Sequence, residues 1–193
     1  MKPIVKAREE LEKARLAIEE MKIANNLKSY KEAWELFLIR LERVWNKLCN
    51  DLSRSPKYRN WTSLDKAKQL RKDDPLLSYL TNARGVSEHT IEDITEIESG
   101  GIAINPAIGN HLHIEHMHIN HGNIFIKSKQ RLKIEFIPGK LKLKQVSNRS
   151  ATYNPPSSHL GQPLKITEPA NIAEIGLIYY ENLIKEAEGY FVG

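Results

Sequence analysis

The sequence is short of several things, and each shortage narrows what the protein can be. It holds one cysteine, Cys49, in 193 residues. No disulfide can form within the chain, and a reducing, cytoplasmic setting is the default expectation. No uninterrupted apolar run exceeds four residues, as in LFLI at 36–39. A membrane-spanning helix needs about 20, so no membrane association is expected. The opening stretch MKPIVKAREELEKAR mixes charge with apolar residues where a secretory leader would place an apolar core. There is no glycine-rich phosphate loop, nucleophile elbow, paired CxxC or His-Glu-x-x-His, so the chemistries built on them find no footing.

What remains is the composition of a globular chain, 40% apolar and 27% charged. Its length suits one domain with a sizeable core, or one domain carrying an insertion. The net charge of +5 is modest but unevenly spread. Residues 1–99 hold 19 basic and 17 acidic side chains, whereas 127–149 hold eight basic residues against Glu135 alone. Those eight are Lys127, Lys129, Arg131, Lys133, Lys140, Lys142, Lys144 and Arg149. They read either as a polyanion-binding surface or as charged protection of strand edges. Lys140, Lys142 and Lys144 alternate with Leu141 and Leu143, which places the three lysines on one strand face.

Periodicity divides the chain. Ile4, Ala7, Leu11, Ala14, Ile18 and Met21 step by three and four, marking an amphipathic helix. Ser29 and Glu32 form a capping-box signature for a second, along which Trp34, Leu38, Leu41, Trp45, Leu48 and Leu52 continue the alternation. Cys49 falls between Leu48 and Leu52 and reads as packed rather than reactive. A short helix over 63–72 follows, with Thr62 and Asp65 as its cap pair. After Gly100 and Gly101 the period shortens to two in HLHIEHMHI, IFI, RLKIEFI and KLKLKQV, separated by the turn signals NHGN and PGK. A polar, proline-rich connector leads to a last helix bearing Ile172, Ile175, Tyr179 and Leu183, widened by Leu177, Tyr180 and Ile184. The expected fold is mainly α with a β insertion (α+β). An antiparallel up-and-down bundle, 1–99 plus 167–193, is interrupted by a small antiparallel sheet within 100–166.

One helix departs from the pattern. In DPLLSYLTNARGVSEHT, residues 74–90, Asp74 suits the cap and Pro75 the first helical position. Leu77, Leu80, Ile91 and Ile94 share a stripe that also passes through Arg84 and Ser87. A guanidinium in an apolar stripe requires a carboxylate, a phosphate or water. Glu88, four residues on, supplies an ordinary ion-pair explanation. Gly85 argues for something further, because glycine inside a helix implies a local distortion or the close approach of another backbone. His89 diverges from Arg84 by about 140° on a straight helix. A kink at Gly85, or two copies of the helix about a two-fold axis, would pool the cation and the imidazole.

Arg84-Gly85-Val86-Ser87-Glu88-His89 resembles the Arg-x4-6-His motif of HEPN domains (higher eukaryotes and prokaryotes nucleotide-binding). The helical bundle around it, 1–99 and 167–193, resembles that family's fold. Many members are metal-independent endoribonucleases of toxin–antitoxin and phage-defence systems, and they commonly dimerise. The resemblance implies that Arg84 and His89 are the catalytic pair, with Ser87 and Glu88 in support and no cofactor. It implies RNA as substrate, a homodimer, and an antitoxin or defence-system partner. The reaction would be attack of a 2′-hydroxyl on its own phosphate, leaving a 2′,3′-cyclic phosphate and a 5′-hydroxyl. Active relatives often carry Asn, Asp or His where Gly85 stands.

Five of the seven histidines lie in HLHIEHMHINH, 111–121. His111 with His113, or His116 with His118, share a strand face and are the weaker alternative, a surface metal site. A bulge near Glu115 would account for the register shift between the two pairs. Three readings therefore stand: a HEPN-like ribonuclease, a non-catalytic binding module of that fold, and a metal-binding β-module on a helical scaffold.

Overall fold

The computed structural model of the protein describes residues 4–89 and 93–192, without the side chains of Glu88, His89 and Val192. Five helices carry the architecture: α1 (Val5–Ile23), α2 (Leu27–Leu52), α3 (Thr62–Asp73), α4 (Pro75–His89) and α5 (Pro169–Val192). A 3-10 turn, Pro56–Asn60, leads into α3. The chain is mainly α with a β insertion, as the periodicity predicts.

The residues expected to face the core in α1, from Ile4 to Met21, are all buried. In α2 the stripe Trp34, Leu38, Leu41, Leu48 and Leu52 is buried too, while Trp45 lies half-covered beneath the Arg71 guanidinium, 4.6 Å from its ring centre. The α2 cap differs from the predicted one. The helix begins at Leu27, and Asn26 accepts a hydrogen bond from the Ser29 N–H at 2.8 Å. Asparagine in an extended conformation does this as well as serine, so the start moves back by a turn's fraction. In α3, Thr62 is already helical and Asp65 pairs with Lys68 at 3.0 Å instead of capping. Along α5 the buried stripe is Ile172, Ala173, Leu177, Tyr180, Leu183, Ile184 and Ala187, with Ile175 and Tyr179 only partly covered.

Helix α4 occupies the centre of this packing. Pro75 at its head is exposed, but Leu76 through Leu80 are buried in succession, so the helix is covered on all sides along that stretch. Its core-facing side continues through Ala83 and Val86 rather than through Arg84 and Ser87, which are half-buried. Ile94 is buried but lies beyond the helix, and Ile91 is outside the described residues. The predicted stripe is therefore displaced by one position, because the helix is covered by neighbours on several sides and not by a single bundle face.

Asp74 anchors α4. Its carboxylate accepts from the N–H groups of Leu76 (3.1 Å) and Leu77 (3.0 Å), which is the cap the sequence predicts. It also accepts from the Leu160 N–H at 2.7 Å and meets His159 Nδ1 at 2.9 Å. Burial works to raise the Asp74 pKa. The hydrogen bonds from Leu77, His159 and Leu160 outweigh it and hold the carboxyl below its ordinary value.

The described residues fall into two compact units, 1–97 with 141–193, and 98–140. Among the described residues the small antiparallel sheet is divided into five two-stranded pairings. The first unit holds β1 (Thr95–Glu98) and β6 (Lys140–Leu143), paired with each other, apart from their end residues Glu98 and Lys140, together with the hairpin β7 (Val146–Asn148)–β8 (Ala151–Tyr153) and the hairpin β9 (Ser158–His159)–β10 (Gln162–Pro163). Everything from Leu141 onward thus belongs to the same unit as the helices, where Leu143 and Val146 join the core. The second unit is one long ribbon. Its outer strands β2 (Gly101–Pro106) and β5 (Leu132–Ile137) pair antiparallel around the inner pair β3 (His116–Asn120) and β4 (Asn123–Lys127). Residues 111–115 of the histidine-rich stretch are irregular, so its strand begins only at His116.

Candidate functional site

On one side of α4 lies a polar cleft of about 420 Å³. From α4 it is lined by Thr81, Asn82, Arg84 and Gly85, and from α2 by Glu42. The C-terminal turn of α3 contributes Arg71 and Lys72; the β7–β8 hairpin contributes Asn148, Arg149 and Tyr153. Arg84 is thus the wall of a cleft and not an intruder in the core.

Arg71 is the buried member of the group. It donates to Glu42 Oε2 at 2.6 Å and to the Tyr180 hydroxyl, joining α2, α3 and α5. A buried cation needs such partners, since desolvation alone would expel it. Tyr180, fully buried, has its pKa pushed up by that burial. Glu42 pairs with Arg71, and Lys72, Arg84 and Arg149 stand beside that pair on the cleft wall. A wall with this balance favours a phosphate-bearing ligand.

The tip of the β7–β8 hairpin reaches α4 directly. Asn148 Nδ2 donates to Asn82 Oδ1 at 2.9 Å, and Asn82 Nδ2 donates to the Ser78 carbonyl at 2.8 Å. A Cβ added to Gly85 would stand 3.0 Å from Asn148 Nδ2. Glycine there costs the helix about 1 kcal/mol against alanine. The structure shows the reason: a side chain from the hairpin occupies the space. The sequence suggests another backbone approaching here; what approaches is the Asn148 side-chain amide.

The helix runs to His89 without a π-bulge or break. On a continuous helix, positions 84 and 89 lie about 140° apart around the axis. The side chains of Glu88 and His89, and with them the Arg84–Glu88 ion pair, lie outside the described residues. Ser87 is half-buried on α4.

The eight clustered cations are divided between the two units. Arg149 joins Arg84 at the cleft. Lys142 and Lys144 are exposed beside the buried Leu141 and Leu143, the alternation the sequence predicts, with Lys140 exposed at the head of the same strand. Lys127, Lys129, Arg131 and Lys133 belong to the ribbon. There Glu115 lies 3.4 Å from both Lys127 and Lys129, and Glu135 lies 2.5 Å from Lys133. His116 and His118 lie on one face of β3, opposite Lys127 and Phe125 of β4. His111 and His113 precede the strand, their carbonyls accepting from Gln130 and Ser128. Among the described residues no three His, Cys, Asp or Glu side chains converge as a metal site would require. Cys49 is partly buried, and burial pushes its thiol up to about 11.

Sequence reasoning missed Arg71, Lys72, Asn82, Asn148 and Tyr153. Arg71 and Lys72 read as ordinary last-turn cations. Asn148 belonged to the polar, proline-rich connector, with no signal to set it apart.

No protein-family model, curated protein or solved structure matches the chain. Among the described residues no helix is long and apolar enough to cross a membrane.

Proposed function

We propose that the protein binds RNA in the Arg84 cleft and cleaves it by metal-independent transesterification. The observation that carries this reading is the cleft itself. Arg84, the residue on which the resemblance to HEPN domains rests, stands on a polar wall with Lys72 and Arg149. In this reaction the 2′-hydroxyl attacks the adjacent phosphorus and the 5′-oxygen departs with a proton. Arg84 neutralises the non-bridging oxygens as charge builds, and His89 transfers protons near neutral pH. DNA, without the 2′-hydroxyl, would bind without reacting.

An unbroken α4 separates Arg84 from His89 around its axis, so the reading calls for a homodimer in which His89 of one copy serves Arg84 of the other. The test is cleavage of RNA in EDTA by wild type, Arg84→Ala and His89→Ala, alone and mixed. Each variant alone is expected to be inactive. An equal mixture is expected to recover roughly a quarter of the wild-type rate, from one intact composite site in the mixed dimers. Wild-type cleavage by His89→Ala would end the assignment. No recovery in the mixture would remove the two-copy arrangement.

A further inference from the structure

Three two-residue hairpins turn with both central residues at positive φ: His121–Gly122 (46°, 80°), Leu160–Gly161 (48°, 76°) and Arg149–Ser150 (49°, 66°). This geometry favours Asn-Gly and similar pairs, since side chains are disfavoured at positive φ. Two of the three turns place glycine second. The turn at the cleft does not. A turn needed only to reverse the chain gains nothing from Arg149, and strained residues collect where a ligand is held. On the facing helix, Gly85 gives up a side chain at the spot where Asn148 enters. Two locally unfavourable choices thus meet at one edge of the cleft.

We infer that the β7–β8 hairpin is a nucleotide clip, in which Arg149 and Lys72 hold a phosphate of an RNA strand while Tyr153 and Asn148 receive its base. Neither Arg149 nor Lys72 has an ion-pair partner among the described residues. Tyr153 is half-buried at the base of the hairpin and offers a ring of the kind on which unpaired bases stack. The bond from Asn148 Nδ2 to Asn82 fixes the amide plane, leaving the Asn148 carbonyl oxygen to accept from a base edge. The cleft's volume of about 420 Å³ lies in the range of small-ligand pockets, roughly 300–1,000 Å³. The clip rests on the reading of this cleft as an RNA site, but it concerns binding and not the bond-breaking step.

The experiment uses a labelled 2′-O-methyl RNA oligomer, which lacks the attacking hydroxyl, titrated into the full chain by fluorescence anisotropy across a salt series. Arg149→Gly is the decisive variant because it relieves the turn and removes the cation together. It is expected to melt at the same or a higher temperature than wild type. Its affinity is expected to be about tenfold lower, with the log–log salt slope reduced by about 0.7, the value for one phosphate contact on a single strand. Asn148→Ala is expected to narrow the spread of affinities among oligomers differing in base. An Arg149→Gly protein that is more stable and binds with unchanged affinity and slope overturns the clip, as does a wild type that binds no oligomer at micromolar concentration. A free mononucleotide bound as tightly as the oligomer also overturns it, since the strand then contributes nothing. Loss of binding in Arg149→Gly, in a protein that never cleaves RNA, keeps the clip and removes the ribonuclease. Cleavage with unaltered binding does the reverse.

Discussion

Asp74 ties two elements together with one side chain. Its carboxylate caps the helix through Leu76 and Leu77 and holds the β9–β10 hairpin through His159 and the Leu160 N–H. A helix cap contributes about 1 kcal/mol, and hydrogen bonds to a charged group contribute about 1.5–3 kcal/mol each. Asp74→Ala is expected to lower stability by at least about 2 kcal/mol in urea unfolding. The pH dependence follows from the direction of the shift. Because the folded pKa lies below the ordinary value of 3.8, the stabilisation is complete well above that pH. It is lost as pH falls through 3.8 towards the folded value. Asp74→Asn should therefore lose less stability than wild type between pH 5 and pH 3, and equal slopes for the two proteins would refute the linkage.

At the scale of elements, the pairing of α4 with the β7–β8 hairpin decides what the cleft can do. An alanine at position 85 would favour the helix by about 1 kcal/mol, yet its Cβ would crowd Asn148 at 3.0 Å and disturb the Asn148–Asn82 bond. Gly85→Ala is expected to leave the melting temperature within a few degrees of wild type while weakening RNA binding several-fold. Asparagine, often found after the motif arginine in active HEPN proteins, would project further into the same space. Gly85→Asn is accordingly expected to reduce activity here, and it would raise activity only if Asn148 were dispensable. A sequence comparison limited to the motif would predict the opposite, because it does not include the hairpin.

For the molecule as a whole, the ribbon 98–140 and the bundle unit carry different burdens. Phe136 and Ile134 of the ribbon are 77% and 59% exposed, and a two-stranded ribbon is marginal by itself. The bundle unit owes its core to the helices, with Leu143 and Val146 as the strand contribution. Gly100 lies against the backbone of Ile137–Gly139, so the chain enters and leaves the ribbon at nearly the same place. Replacing residues 101–137 with a short Gly-Ser turn is expected to preserve the helical circular dichroism and a cooperative melt; a loss of both would show that the bundle depends on the ribbon. The exposed lysines 140, 142 and 144 lie outside the cleft, and their contacts would be to phosphate rather than bases. Changing all three to Ala should lower RNA affinity evenly across sequences and shrink the salt slope.

The sequence alone determined the helices, because burying one apolar face writes a three- and four-residue rhythm that α1 and α2 keep over their whole length. It also determined the cap at Asp74, the turn at the ribbon tip and the exposure of Lys142 and Lys144, since these depend on neighbours close in the chain. The core face of α4 was only partly legible. A helix covered on several sides has no clean polar face, and the rhythm then identifies the wrong row by one residue. The cleft was not legible at all beyond Arg84 and Arg149. Its wall is assembled from Glu42, Arg71, Lys72, Asn82, Asn148 and Tyr153, which come from four separated segments. What brings them together is the packing of α3 and the β7–β8 hairpin on α4. That depends on shape and burial across more than a hundred residues of chain, and no local spacing encodes it.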